Sequence, residues 1–368
     1  MTTTLTVRRA PVRYRILVRR GLLDQVGSLV RAHRKGGPAL LVSDRTVFRL
    51  YGARVRASLR RAGFDVHASV LPPGEPTKSL ASARRLYRDW AGHRVFKGAI
   101  VVTLGGGVVS DTAGFAAATY GRGLDWVAFP TTLLSQADAS VGGKVGVNLE
   151  EGKNLVGAFH HPLGVYADPD ALATLSPRAF RSGLAEVAKM GVIRSPEILD
   201  RLSSMVATGS LRDPARLAPL IRMTITEKAA IVSRDERDQG VRRVLNFGHT
   251  VGHALETAYG YGRYMHGEAV SVGMAAALLM SAGLAGLREA DAIRVEALLR
   301  AMGLPTRLHE VPGRAFWGAL RRDKKRGRAG LRVVLSPAIG RAKVFDLPSL
   351  TPLERAVDSL ARTQGVGR

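Results

Sequence analysis

An α/β fold is what this sequence predicts: an N-terminal domain built on a parallel sheet, followed by a mainly α-helical domain. Short apolar runs rich in valine alternate with helical patterns over residues 1–172. That is the pattern of strands buried on both faces and connected by helices. One of these runs passes through three consecutive glycines directly into a helical pattern. From residue 173 onward the apolar period is almost wholly helical.

The elements follow in order. The opening MTTTLTVRRAPVRYRILVRRG alternates as a strand does and lacks the apolar stretch of a signal peptide. LLDQVGSLVRAHRK reads as a helix, PALLVSD as a buried strand ending in Asp44, and TVFRLYGARVRASLRRAG as a helix. FDVHASVL, GAIVVTLGGG and LDWVAFPTT read as strands, separated by the helical SLASARRLYRDWAGH and SDTAGFAAATYG. ADPDALATLSPRAFRSGLAEVAKMGVI opens the helical series, whose late exception is a β-like pair in LRVVLSPAIGRAKVFDL. The domains are therefore expected at 1–172 and 173–368, with a frayed tail beyond about residue 360.

Composition narrows the function. A chain of 368 residues is long enough for two cores. With no cysteine, thiolate catalysis, disulfides and cysteine-ligated zinc are excluded. Lysine and arginine number 55 against 30 acids, a net charge of +25, which suits a nucleic-acid binder or an enzyme of anionic substrates. The arginines, however, are spread along amphipathic helices, as in RVRASLRRAG and ASARRLYRDW, without an aromatic-studded basic stripe. They read as a solvated surface with a local field for an anionic ligand, and no nucleic-acid partner is expected. The most apolar run, AVSVGMAAALLMSAGLAGL at 269–287, is long enough to raise the question of a membrane span. Its serines and glycines, and Glu268 before it, make it a buried central helix instead. No membrane partner is expected, and the location expected is cytoplasmic.

VVTLGGGVVSDTAGF runs from an apolar strand into a helix. Positions without side chains let backbone amides approach a phosphate, and a helix N-terminus favours negative charge. The dinucleotide fingerprint G-x-G-x-x-G is met at Gly105 and Gly107 but not at Ser110. A phosphate cradle and a plain tight turn both remain open. Asp44, at the end of an earlier strand, is the better candidate to hold a ribose hydroxyl. VGGKVG at 141–146 fails the P-loop pattern, because Val145 follows Lys144.

In the second half, GLAEVAKMG places Glu186 and Lys189 three apart on one face of an apolar helix, where they need partners or solvent. A helical ion pair would account for them. NFGHTVGHALETAYGYGRYMHGEA adds His249 and His253, one helical turn apart, and then His266. A buried carboxylate with histidines in an apolar helical region points to a metal site, and spacing alone would give it both His249 and His253. Lys228, Arg242 and Asn246, collected nearby, suggest an anionic ligand.

Five ordered blocks, GGGVVSDTAGFAAATYGRG, FPTTLLSQADASVGGKVGVN, GKNLVGAF, SGLAEVAKMG and LNFGHTVGHALE…HGEAV, resemble the 3-dehydroquinate synthase family of sugar phosphate cyclases. The resemblance runs from about residue 38 to 340. It implies an NAD-binding α/β domain, a helical metal- and substrate-binding domain with the active site in the cleft between them, a zinc or cobalt ion, and a homodimer. Carried over residue by residue, the metal ligands would be Glu186, His249 and His266. NAD would meet Asp44, Glu75, Lys78, Gly105, Gly106, Gly107, Asp111, Thr131, Thr132 and Lys153. Lys144, Lys189, Lys228 and His253 would be catalytic. Arg122, Asp138, Asn154, Arg242, Asn246 and one of Lys324 and Lys325 would bind the substrate, with Arg122 reaching a neighbouring subunit.

The implied substrate, 3-deoxy-D-arabino-heptulosonate 7-phosphate, carries a carboxylate, a phosphate and several hydroxyls, which is why so many cations are needed. The implied reaction is transient oxidation at C5, β-elimination of phosphate, re-reduction and an intramolecular aldol closure, with no net redox. Ser110 departs from the family's usual glycine, and FHHP at 159–162 departs too, its histidines expected at the surface. Competing readings are a sister cyclase of the amino-dehydroquinate, 2-deoxy-scyllo-inosose or valiolone type, a metal-dependent polyol dehydrogenase, and a non-enzymatic basic binding protein. The last leaves the buried Glu/His set unexplained.

Overall fold

The computed structural model describes residues 4–9, 12–95, 97–308, 310, 312–324 and 331–361. The chain divides into two compact units, Met1–Leu175 with Arg212–Arg237, and Ser176–Leu211 with Asp238–Arg368. A division at 172/173 would put residues 212–237 in the second unit, whereas they pack in the first. The helix Pro214–Arg234 is capped by Asp213, whose side chain accepts from the Ala215 amide. It lies against the sheet of the first unit and the segments 135–139 and 169–174.

The strands of the first unit are β1 (Thr4–Arg9), β2 (Val12–Val18), β3 (Gly37–Asp44), β4 (Phe64–Leu71), β5 (Ile100–Gly105), β6 (Asp125–Pro130), β7 (Lys144–Leu149), β8 (Gly152–Phe159) and β9 (Gly164–Ala167). Seven of them form one sheet in the order β1-β2-β9-β6-β5-β3-β4. All its neighbours are parallel except β1 and β2. Every residue of β5 is buried, as a strand covered by helices on both faces requires. Each such Val or Leu contributes about 1.5–3 kcal/mol relative to exposure.

Register makes one edge of this sheet level. Asp44 pairs with Leu71, Ser43 with Leu104, and Gly105 with Pro130. The segments that leave β3, β4, β5 and β6 therefore emerge side by side at their carboxyl ends, the usual ligand edge of an open parallel sheet. β7 and β8 make a separate antiparallel hairpin, which the sequence pattern did not reveal.

Among its described residues the second unit is helical apart from the hairpin β10 (Leu331–Ala338) and β11 (Arg341–Leu347), as LRVVLSPAIGRAKVFDL predicts. Its central helix, His266–Leu284, is long and apolar enough to cross a membrane by length and composition alone. In the structure 72% of that apolar window is buried. It packs on the helices Pro177–Ile193, His249–Arg263 and Thr351–Ala361 and on β10.

Glycine sets how close these helices come. A Cβ on Gly267 would stand 1.8 Å from the Ser182 carbonyl oxygen, and one on Gly273 would stand 1.9 Å from that of Gly248. Only a residue without a side chain permits such backbone approaches. They bring the helix Pro177–Ile193, the start of the helix His249–Arg263 and the start of the helix His266–Leu284 into one small volume.

Candidate functional site

That volume holds Glu186, His249 and His266. Each offers one ligand atom, and the three atoms lie within 4.8 Å of one another. His249 Nε2 stands 3.6 Å and His266 Nε2 3.5 Å from Glu186 Oε1. Those separations are long for hydrogen bonds. They match donors around a common small cation, whose tetrahedral ligands at about 2.0–2.1 Å are roughly 3.4 Å apart. The donor set, one carboxylate and two imidazoles, also suits zinc or cobalt.

The three groups differ in their electrostatics. Burial pushes the Glu186 carboxyl up, but Lys189 and the two histidines outweigh it and hold it well below the usual range. Lys189 pairs with Glu186 from the next turn of the same helix, and both side chains are almost wholly buried. Burial, reinforced by Lys189, pushes the His249 imidazole down to about 3, so it is neutral. Burial lowers His266 as well, but Glu186 and Glu256 overcome this and raise it to about 9. His249 Nδ1 faces the Phe247 carbonyl at 3.1 Å and His266 Nδ1 faces Glu256 Oε1 at 3.2 Å. An acceptor at Nδ1 calls for a proton there; Nε2 of neutral His249 then carries a lone pair, whereas His266 must give up its Nε2 proton to a binding cation.

His253 shares the neighbourhood without sharing the set. Its ring centroid is 5.2 Å from that of His249 and 6.3 Å from that of His266, and the residue is exposed. Arg242 is buried and Asn246 exposed, both in the turn Val241–Asn246 that precedes the His249 helix. Lys325 lies outside the described residues, as does the side chain of Lys324. The sequence reading missed Glu256. It follows His249 and His253 at the spacing i, i+4, i+7, which lines one face of a helix.

In the first unit, the residues expected to meet NAD stand at or just beyond the carboxyl ends of β3, β4, β5 and β6, except Lys153, which is in β8. Gly106 precedes the helix Gly107–Thr119, and a Cβ on it would press within 2.9 Å of the Thr132 side chain. Thr131 follows β6, its amide donating to the Gly105 carbonyl at 2.9 Å. Asp111, in the first turns of that helix, pairs with buried Lys78. Glu75 accepts from Asn148 Nδ2 at 2.8 Å, and the Asn148 amide donates to the Lys78 carbonyl at 2.9 Å. The β7–β8 hairpin, which carries Lys144, Lys153 and Asn154, is thereby tied to the 75–78 turn. Asp44 caps residues 45–47, accepting from the amides of Thr46 and Val47 at 2.8 and 3.0 Å. Ser110 turns its hydroxyl back onto the Gly107 carbonyl at 3.1 Å.

Asp111, Lys144 and Asn154 line a cleft of about 440 Å³ with Gly146 and Phe159. Buried Lys228 reaches Asp138 twice, at its carbonyl (2.7 Å) and at Oδ1 (2.8 Å). Arg122 is exposed in the positive-φ region, at φ 68. The paired histidines are not the surface residues expected. His160 Nε2 meets the Leu124 carbonyl at 2.8 Å, and His161, nearly buried, meets Glu236 Oε1 at 2.8 Å. His161 fits because Gly143 has no side chain, a Cβ there coming within 2.6 Å of the ring.

Comparison with known proteins accords with this arrangement. Family models described as 3-dehydroquinate synthase N-terminal and C-terminal match residues 68–182 and 183–326. The chain is 43% identical over 340 residues to the 3-dehydroquinate synthase of Citrifermentans bemidjiense, covering 92% of this chain and 94% of that protein. Among solved structures it is similar to 2-epi-5-epi-valiolone synthase from Streptomyces hygroscopicus with NAD+ and Zn2+ bound. There the TM-score is 0.87 at 29% identity, covering 96% of this chain and 98% of that one. It is also similar to a 2-deoxy-scyllo-inosose synthase complexed with carbaglucose-6-phosphate, NAD+ and Co2+. There the TM-score is 0.86 at 25% identity, covering 97% of this chain and 100% of the other.

Proposed function

The chain belongs to the 3-dehydroquinate synthase family, and from that premise we propose that it converts 3-deoxy-D-arabino-heptulosonate 7-phosphate to 3-dehydroquinate and phosphate. It would act as a carbon–oxygen lyase of the cytoplasm and as a homodimer. The observation that carries the reading is the set of buried Glu186 and half-buried His249 and His266, with ligand atoms within 4.8 Å of one another.

Glu186, His249 and His266 would hold a divalent zinc or cobalt ion. Asp44, Glu75, Lys78, Gly105, Gly106, Gly107, Asp111, Thr131, Thr132 and Lys153 would hold NAD. When bound, NAD+ supplies a reversible hydride acceptor, and the cation lowers the pKa of a hydroxyl it touches.

The rest falls to the chain's own cations and dipoles. Arg242 offers a planar fork for the substrate carboxylate. Lys144, Lys189 and Lys228 add charge near the reacting hydroxyls, with Asp138 and Asn154 orienting them. Asn246, His253 and one of Lys324 and Lys325 would hold the phosphate until it leaves, and His253 would move a proton there. Arg122, exposed on its turn, would reach toward a second copy of the chain. This demand is for positioning more than for dedicated acids and bases, since the departing phosphate can itself accept the proton lost with it.

The test is to offer the purified protein, with NAD+ and Zn2+ or Co2+, three substrates separately: the heptulosonate phosphate, sedoheptulose 7-phosphate and glucose 6-phosphate. Phosphate release from the first without accumulation of NADH, and a product of the mass of 3-dehydroquinate, is expected. Turnover of another substrate in its place would mark a sister cyclase, and accumulating NADH a polyol dehydrogenase.

A further inference from the structure

Glu256 sits where a carboxylate is costly. It is 3% exposed, on a helix whose adjacent residues Ala254 and Leu255 belong to the apolar core of the second unit. A buried carboxylate in such surroundings needs a partner that repays its desolvation. Among its partners is a metal-ligand candidate, since Glu256 Oε1 lies 3.2 Å from His266 Nδ1. The contact joins two helices. Glu256 is in the middle of the helix His249–Arg263, and His266 is the first residue of the next.

The geometry points to Glu256 as a positioning residue of the metal centre, a deepening that rests on the metal reading above. By accepting the Nδ1 proton of His266, it fixes the ring's tautomer and rotation so that Nε2 faces Glu186 and the cation. His249 is held in the same way by a neutral acceptor, the Phe247 carbonyl. The two imidazoles thus have unequal partners, one uncharged and one carboxylate. A carboxylate behind a ligating histidine orients it and raises its basicity as a ligand. The helix Pro177–Ile193 provides the direct ligand Glu186, and Glu256 acts only through His266.

The test uses the full chain stripped of metal and titrated with Co2+, read by its visible absorption. Glu256→Leu is expected to weaken Co2+ binding about 10- to 100-fold and to change the band shape. Glu256→Gln, whose amide oxygen still accepts from Nδ1, should recover part of both. NAD+ affinity and thermal unfolding of the metal-free Leu variant should match wild type, or exceed it in stability. Wild-type Co2+ affinity and spectrum in Glu256→Leu would overturn the assignment. So would a loss that Gln does not recover and that comes with a less stable metal-free protein. A wild-type chain that takes up no Co2+, or a His249→Ala variant that binds it equally well, would instead overturn the metal centre itself and this role with it.

Discussion

The Gly267 amide donates to Ser182 Oγ at 3.0 Å, and a side chain at Gly267 would run into the Ser182 carbonyl oxygen. This contact seats His266, the preceding residue, over the helix that carries Glu186 four residues beyond Ser182. Backbone proximity between two helices thus sets the distance between two ligand atoms. Gly267→Ala must push the helices apart or bend one of them. Overpacking of this kind costs about 1–3 kcal/mol, occasionally more. A lower melting temperature together with weaker zinc retention on dialysis is expected, and unchanged zinc retention would count against the coupling.

His253 should separate from the metal set by metal content. His249→Ala removes a ligand atom from the set and Glu186→Gln its negative charge, and both should leave protein that retains little zinc after dialysis. His253→Ala should retain zinc near the wild-type level while turnover falls, because its ring lies outside the set. Elemental analysis of the three variants decides the matter, and loss of zinc in His253→Ala would end this division of labour.

Lys78 and Asp111 make a pH-dependent prediction in the first unit. Burial pushes the Asp111 carboxyl up, with Lys78 opposing it. An acid whose folded pKa lies above its unfolded one favours the fold below the unfolded value. It surrenders that contribution as pH rises through the folded value. Lys78→Met removes the opposing charge and deepens the surrender. The variant should be close to wild type below about pH 4 and should lose about 3 kcal/mol at neutral pH, as when one partner of a buried pair is removed. Chemical denaturation at several pH values measures the gap.

Arg178 and Glu268 run the other way. Burial pushes the Glu268 carboxyl up, but Arg178, bonded to both its oxygens at 2.7 Å, and the Met265 amide outweigh it and hold it down. A depressed folded pKa means stability that is present above the unfolded value of about 4.3 and lost as pH falls through the folded one. Glu268→Gln should cost about 1–2 kcal/mol near neutrality, and the two proteins should converge in acid.

Much of the fold can be read along the chain. β3, β5 and β6 announce themselves as short apolar runs, and the β10–β11 hairpin by its alternation. The short strand β9, GVYA, is too brief to show a period. β7 and β8 are broken by glycines, which invite a search for phosphate motifs. The helix Pro214–Arg234 has an ordinary amphipathic pattern, which says that one face is covered but not by which unit. His160 and His161 look like solvent residues until Gly143, Leu124 and Glu236 close around them.

The ligand types of the metal set were legible because a carboxylate and imidazoles are rare in apolar helices, and the family blocks selected among them. Local period could not do so, since the i, i+4 spacing favours His249 with His253, whereas the group that converges is Glu186, His249 and His266. By itself the sequence determined the alternation of strands and helices, the glycine turn, the central apolar helix and the residues eligible for chemistry, because these depend on propensity and on neighbours within a few positions. Only the tertiary structure decided that Glu186, His249 and His266 converge, that Glu256 stands behind His266, and that 212–237 joins the first unit. Those outcomes turn on contacts between residues far apart in the chain, where a missing Cβ at Gly267 or Gly273 counts for as much as any ligand.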